Sequence, residues 1–401
     1  MLRRTFKAFT YRDFRLMWTG AFTSSVGTWM QQLAQSWLVL EISKSPFLLG
    51  LDAFLGQIPI FLFSLVGGVV ADRQNRRNLL LASQVVQMTC AFLLAFLIAF
   101  EVVEVWHILT LSFFVGLAQA FGGPAYQALI PTLVRSEDLP NAIALQSIQF
   151  NLARMIGPML GGLALAHLGA VWCFALNGAS YIAVMISLLM LNIRYIPVKS
   201  RETMMTSMKQ GLSFVTRQSA MVALIGLAFT VTILGYPLVV FLPVFARDVF
   251  HQGSEVYARF LSFNGAGAVA GALAVAAIGN VGNKGKIALV TLAGLGALVV
   301  GFAFSRWLAA SYLIVFLYGA ALVAVFALVT SLVQLLTGDE MRGRVMSVYN
   351  VAFRGGMPIG SLLTGALVPV FSAPVVLAAA GILLSVLGLY FLLVHRRVAT
   401  L

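Results

Sequence analysis

A chain of 401 residues in which 60% are hydrophobic and only 10% charged, with a mean hydropathy of +0.96, lies far from the composition of water-soluble domains, where about 25% of residues carry charge. This excludes a soluble catalytic domain and points to an all-α polytopic membrane protein, because a hydrocarbon core of about 30 Å takes roughly 20 apolar residues per helix. The net charge of +13, from 26 Lys+Arg against 13 Asp+Glu, then becomes a question of which membrane face the cations occupy, and nucleic acid is not expected as a partner.

Apolar runs between polar punctuation predict twelve transmembrane helices, over 16–40, 47–70, 79–100, 106–130, 141–166, 169–191, 220–246, 257–280, 286–305, 310–336, 345–369 and 374–394. A β-barrel would alternate apolar and polar residues with a period of two, and these runs do not. Alternate connections place Lys44, Arg247, Arg259 and Arg306 on one side and Arg154 and Arg354 inside spans, and the remaining twenty cations collect on the other side. Positive loops stay in the cytoplasm, so both termini are expected there. Met1–Leu16 is cationic and aromatic without an apolar h-region, so no cleavable signal peptide is expected. Phe6, Phe9 and Phe14 among these cations predict an interfacial helix on the anionic inner leaflet.

The longest polar stretch between spans, 192–219, divides the chain into an N-terminal six-helix bundle (1–191) and a C-terminal one (220–401). Met204, Met205, Met208, Leu212 and Val215 within it follow helical spacing, which predicts an amphipathic linker helix. At an offset of 200 residues, Arg154 faces Arg354, Pro158 faces Pro358 and Ser147 faces Ser347, while Gly161 falls within one residue of the equivalent of Gly360. Acidic pairs, Glu137–Asp138 and Asp339–Glu340, precede both segments. Two pseudo-symmetric bundles enclosing a central site are the architecture of alternating-access transporters.

Two motifs stand out. Between the second and third spans lies Gly67-Gly68-Val-Val-Ala71-Asp72-Arg73-Gln74-Asn75-Arg76-Arg77, where Asp72 can accept from a helix N-terminus or an arginine and the Arg cluster can reach acids of neighbouring loops. The fifth span carries Asn151-Leu-Ala-Arg154-Met-Ile-Gly157-Pro158-Met-Leu-Gly161-Gly162. Its glycines admit a close helix neighbour and Pro158 bends it, a combination able to seal one end of a cavity.

These segments resemble the major facilitator superfamily. The first is similar to its loop 2–3 motif, Gly-x-x-x-Asp-Arg-x-Gly-x-Arg-Arg, with Asn75 at the second glycine as the residue next best able to adopt left-handed geometry. The second is similar to the antiporter motif of the fifth helix, with Ala144 and Ala153 replacing two upstream glycines. Phe14-Arg15-Leu-Met-Trp18, Ala128-Leu-Ile-Pro131 through Leu139, and Arg342-Gly-Arg344-Val-Met resemble the bacterial macrolide-efflux and enterobactin-exporter branch. The resemblance implies a multi-pass protein of the bacterial cytoplasmic (inner) membrane, a monomer, exporting a drug- or siderophore-like molecule, with Asp72 helping to hold the outward-open state by docking on the eleventh helix and Arg73, Arg76, Arg77, Gly157, Pro158, Gly161 and Gly162 completing the gate.

Ionisable groups inside a bilayer are candidates for function. Arg154 and Arg354 lie roughly 14–20 Å along their helices at 1.5 Å per residue, as cationic arms for an anionic or hydrogen-bonding substrate, or as structural partners of carbonyls freed by the nearby prolines. Asp52, two turns into the second span, is the one acid clearly within a span and hence the candidate proton carrier; its alternative is an interfacial pair with Lys44. Ser24, Thr28, Gln31 and Gln35 share a face of the first span. With Gln119, Gln127, Asn151, Tyr236, Asn264, Tyr318, Gln334, Tyr349 and Asn350 they suggest either a cavity lining or interhelical hydrogen bonds. His107, His167 and His251 lack metal-ligand spacing, Cys90 and Cys173 lie in apolar runs, the Gly265-Ala-Gly267 and Gly294-Leu-Gly296 segments have no strand before them, and no Walker A sequence occurs. No cofactor and no metal are therefore expected. The expectation is a transporter, not an enzyme, moving a hydrophobic or amphiphilic small molecule outward in exchange for protons. The alternatives are an uncoupled facilitator or lipid transporter, and more remotely a non-transporting receptor.

Overall fold

The computed structural model describes residues 6–192, 204–279, 282–394 and 398–401. They form α1 (Arg12–Ser43), α2 (Pro46–Arg73), α3 (Arg76–Ala99), α4 (Val105–Leu129), α5 (Leu139–His167), α6 (Ala170–Met190), α7 (Met204–Thr216), α8 (Ser219–Leu234), α9 (Pro237–Val244), α10 (Ser254–Ile278), α11 (Lys284–Phe304), α12 (Leu308–Leu335), α13 (Asp339–Phe371) and α14 (Ala373–Leu393). No strand occurs among the described residues, and an all-α membrane fold is established.

Ten helical stretches among the described residues are long and apolar enough to cross a bilayer, fewer than the twelve expected. The two that fall short are α1 and α5. Both are long enough, but each carries a series of polar side chains, among them Thr28, Gln31 and Gln35 on α1 and Gln149, Asn151 and Arg154 on α5. The seventh predicted span is divided between α8 and α9. Pro237 has no N–H to continue the ladder, and the amides of Gly235 and Tyr236 both turn to the Val231 carbonyl, at 2.8 and 3.3 Å. The buried Tyr318 hydroxyl donates to the Gly235 carbonyl at 2.7 Å, so this acceptor is satisfied from α12. Past α9 the chain closes with a π-helix, Phe245–Val249.

The chain forms two compact units, Met1–Ser43 with Leu55–Arg201, and Lys44–Phe54 with Glu202–Leu401. In the first, α1 packs on α5 and α6, and α3 on α4 and α6. In the second, α8 packs on α13, α10 on α12, and α11 on α12 and α14. The pairings α1·α5, α3·α4 and α3·α6 thus recur as α8·α13, α11·α12 and α11·α14. Glycines set the first of these. A Cβ on Gly157 would lie 2.5 Å from the Trp29 Cβ, and one on Gly161 3.0 Å from the Met30 Cα. Across the repeat, Gly356 meets Thr232 and Gly360 meets the Ile233 carbonyl just as closely. Gly162 and Pro158 are buried on the same helix. The segment Lys44–Phe54 joins the second unit where Gly50 contacts Ser361 and Gly365. Of the predicted linker, residues 193–203 lie outside the described residues, while α7 packs on α13 with Gly211 against the Arg344 carbonyl.

The N-terminal segment departs from the expected interfacial helix. It forms a 3₁₀ turn, Lys7–Thr10, docked on its own unit, with Ala8 and Phe14 buried in a cluster that includes Met17, Leu80, Leu129, Leu145 and Leu188. The reason is a set of directional contacts: Lys7 pairs with Asp138 at 2.8 Å, the Tyr11 hydroxyl donates to the same carboxylate at 2.7 Å, and the Ala8 amide donates to Asn141 at 2.9 Å. Asp138 is nearly inaccessible, at 4% exposure, and the Lys7 hydrogen bond, then that of Tyr11, holds its carboxyl below the usual carboxylate range.

Candidate functional site

In the first unit, α5 carries Arg154 one turn before Pro158, and α1 carries Trp29. Helix spacing and the Gly157 contact bring the two together: the guanidinium carbon lies 5.7 Å from the centre of the Trp29 ring, whose edge meets Phe150. Arg154 is half-buried. A central cation costs about 2.5–3.5 kcal/mol on insertion scales, and a cation–π contact returns about 0.5–2 kcal/mol. Trp29 therefore offsets part of the cost and fixes where the charge sits. Asn151, one turn away, is half-buried and donates to the Ser147 carbonyl at 2.8 Å.

The polar face of α1 is committed to neighbouring helices. Gln31, 7% exposed, accepts from the Asn177 amide of α6 at 2.6 Å, and Gln35 donates to Ser112 of α4 at 2.8 Å. Thr28 lies 3.4 Å from the Tyr181 hydroxyl. That hydroxyl donates to Gln87 Oε1, which also receives Gln119 (both 3.3 Å), and the other end of Gln87 donates to Ser83 at 3.1 Å. The structure thus favours interhelical hydrogen bonding for Gln31 and Gln35. Gln87, Asn177, Tyr181, Ser83 and Ser112 were not singled out from the sequence. Their signal was present as polar pairs four residues apart inside apolar runs, Ser83 with Gln87 and Asn177 with Tyr181.

The loop between α2 and α3 shows a different logic from the expected pairing with loop acids. Arg76 donates to the Ala128 carbonyl at 2.9 Å and Arg77 to the Leu189 carbonyl at 3.0 Å, so each cation caps the C-terminal end of a helix, α4 and α6 respectively. A cation there contributes about 0.3–1 kcal/mol through the helix dipole. Asp72 is exposed, with an Arg76 nitrogen at 3.8 Å, and Arg73 is exposed at the end of α2. Asn75 is not left-handed. It is extended, at φ −65°, and its side chain caps α3 by accepting from the Arg77 amide at 3.1 Å. Asparagine fits here as an N-cap, which replaces the left-handed rationale for its presence.

In the second unit, α5 and α13 begin at residues 139 and 339, so Arg354 occupies on α13 the place of Arg154 on α5. Its setting differs: Arg354 is exposed, as is Asn350 one turn before it. Tyr349 is buried, accepts from Thr330 at 2.8 Å, and stacks on Phe353. Asn264, 1% exposed, lies at the tight approach of α10 to Gly319. Asn264 thus sits at a helix contact and Tyr349 in a hydrogen bond and a ring stack, while Arg354 and Asn350 are exposed. Asp52 is 7% exposed within Lys44–Phe54, and among the described residues it is the one buried carboxylate inside a stretch long and apolar enough to cross a bilayer.

A family described as transmembrane secretion effector matches residues 4–400. The chain is 26% identical to the enterobactin exporter of Salmonella typhimurium, over 96% of this chain and 92% of that protein. It is 22% identical to the staphyloferrin A transporter of Staphylococcus aureus, over 96% of both, and 22% identical to macrolide efflux protein A of Streptococcus pyogenes, over 88% of both. Among solved structures, it is similar to the nucleoside transporter NupG (TM-score 0.73, 13% identity, 95% of this chain and 98% of that one). It is also similar to a bacterial homologue of the human lysosomal transporter Spinster in an inward-facing, unoccupied conformation (TM-score 0.75, 13% identity, 96% of both).

Proposed function

The chain belongs to the transmembrane secretion effector family of the major facilitator superfamily, a multi-pass membrane transporter of small molecules and not an enzyme, and from that premise we propose that it exports a hydrophobic or amphiphilic molecule across the bacterial cytoplasmic membrane by alternating access, in exchange for protons. The observation that carries this reading is Arg154, a half-buried cation held on the face of Trp29. A cation beside an aromatic plane suits a molecule that is apolar over most of its surface and anionic or hydrogen-bonding at one end. The names of the relatives support the outward direction, two of them being described as an exporter and an efflux protein.

In this reading residues 1–191 and 220–401 are the two halves of a monomer, 192–219 links them, both termini are cytoplasmic and lipid surrounds the apolar helix faces. Arg154 and Arg354, with Asn151 and Asn350 one turn from each, meet the substrate. Asp52 carries the proton, since burial of a carboxyl disfavours its charged form. Asp72, Arg73, Arg76 and Arg77, with Gly157, Pro158, Gly161 and Gly162, form the gate.

The test is uptake of macrolides, dyes, catecholate siderophores and lysolipids into inside-out vesicles with an acid interior, with and without a protonophore. Accumulation that collapses with the protonophore is expected for at least one compound, and Arg154→Gln should lower its rate about tenfold, the scale of a lost hydrogen bond to a charge. Full gradient dependence in Asp52→Asn would remove Asp52 from the mechanism. A second reading, an uncoupled facilitator, is favoured by the scarcity of buried carboxylates, and equilibration insensitive to the protonophore would establish it.

A further inference from the structure

The π-helix after α9, the loops that follow α9 and α11, and the start of α14 lie around one recess of about 470 Å³ in the second unit. Helix hairpins alternate ends, so this is the end opposite α7. The recess is open to solvent, and His251, Arg306 and Ser372 on its wall are exposed. Two features of its wall are held away from relaxed geometry. His251 and Ser372 both line it, and both take left-handed backbone, at φ 53° and 71°. A non-glycine residue there costs about 1–3 kcal/mol and persists where the surroundings over-determine it. Beside His251 the surroundings are a cluster of tilted rings, buried apart from the half-buried Phe250: Phe245 and Phe302 at 4.8 Å, Phe250 and Phe260 at 5.6 Å, with Phe260 edge-on to Phe302. The π-helix spans Phe245–Val249, and Phe250 follows it directly. The segment bearing Asp248 and His251 is therefore anchored from beneath.

The charges inside the recess do not balance locally. Asp248 is the only carboxylate on its wall, and Arg247 grips it with both Nε and Nη2 in a fork. Arg306, also on the wall, reaches only the Ala303 and Ser305 carbonyls, at 3.4 and 3.2 Å, and pairs with no carboxylate among the described residues. Ser372 makes no side-chain cap to α14, so its hydroxyl is not spent on that helix. A metal is not favoured: no three His, Cys, Asp or Glu side chains come together among the described residues. What remains is a forked guanidinium donor, an imidazole and a hydroxyl around a concave space, the donor set that recognises an oxyanion.

We propose that this recess binds the carboxylate or phosphate group of a small anion, with Arg306 as the principal donor. The site lies outside the substrate and gate residues of the transport reading, and its test measures binding without turnover, so the two can fail separately.

The full chain in nanodiscs of zwitterionic lipid is titrated with citrate by calorimetry. Citrate should bind, Arg306→Gln should weaken it about tenfold, and Arg306→Lys should recover part of the loss, because the charge remains without the fork. Arg12→Gln should leave binding within about twofold, since this exposed cation pairs with Asp13 in the other unit and belongs to no proposed site. Equal affinity in wild type and Arg306→Gln, or no citrate binding by a protein that still melts cooperatively, overturns the proposal. Repeating the titration in nanodiscs of anionic lipid separates the sources of the anion. An apparent affinity that drops in wild type but not in Arg306→Gln marks a lipid phosphate as occupant, and an unchanged difference between the two proteins marks a soluble one.

Discussion

The two units share their helix pairings and their close glycine contacts, and the first adds a connected network of neutral polar side chains. In the first, neutral polar side chains link α1, α3, α4 and α6 through Gln31–Asn177, Gln35–Ser112 and the group around Gln87. Helices meet backbone to backbone in both units: Gly67 faces the Ala120 carbonyl in the first, and the second has several such contacts. Gly267 faces the Phe316 carbonyl, Gly319 that of Asn264, and Gly296 that of Gly381, with no room at any of them for a methyl group. Hydrogen bonds are directional and specify which helices are neighbours, whereas glycine contacts depend on shape and tolerate no added volume. One duplicated architecture can therefore be held by two kinds of complementarity. The polar one leaves side chains that can exchange partners when helices shift.

This contrast can be broken most sharply in the second unit. Gly267→Val should destabilise by about 3 kcal/mol, the upper part of the range for overpacking, because the obstructing atom is a backbone carbonyl that cannot rotate away. A large fall in melting temperature in detergent would show it, and a near-normal melt would mean that α10 and α12 can separate at little cost. In the first unit, Gln87→Leu takes one partner each from Tyr181, Gln119 and Ser83 and should cost about 1–2 kcal/mol, less than the glycine change, because Ser83 keeps the Ala118 carbonyl and Tyr181 keeps Thr28. Thr330→Val removes the single bond to Tyr349 and should cost about 0.6 kcal/mol, the average for such bonds in a membrane protein. A Gln87→Leu melt no lower than that of Thr330→Val would abolish the distinction between a network and an isolated pair.

The smallest effect concerns the docked N-terminal turn. Asp138 has a lowered pKa in the folded protein, so its contribution is fully present above the ordinary carboxylate value of about 4 and is lost as pH falls below it. Proteolysis ahead of Tyr11 should be constant from neutral pH down to that value and accelerate below it, while Asp138→Asn should be cut faster at neutral pH.

Much of the fold was legible because hydropathy records burial in lipid directly: each predicted span falls on a helix, and only the seventh is interrupted. The repeat was legible because Arg154 and Arg354 are rare residues in an apolar background. Partners were another matter. Arg76 and Arg77 look from the sequence like ligands for acids, and although Arg76 also lies near Asp72, their hydrogen bonds to other helices go to carbonyls of Ala128 and Leu189, which any residue would supply equally well. No local pattern marks the ends of α4 and α6 as adjacent. The docking of Tyr11 depends on Asp138, 127 positions away, so the aromatic and cationic run before α1 reads as membrane-seeking until its acidic partner is placed beside it. The candidate site was legible at Arg154 as a position, but not at Trp29 as its neighbour.

The polarity of α1 also bears on how the protein is made. Its side chains find their partners 146 and 153 residues later, on Asn177 and Tyr181 of α6. At a synthesis rate of about 5–20 residues per second, those partners leave the ribosome roughly seven to thirty seconds after α1. During that interval Gln31 and Thr28 lack their α6 partners, while Gln35 meets Ser112 of α4 earlier, 77 residues on. The polar side chains that hold the unit together are thus satisfied in chain order, Gln35 first and Gln31 and Thr28 last.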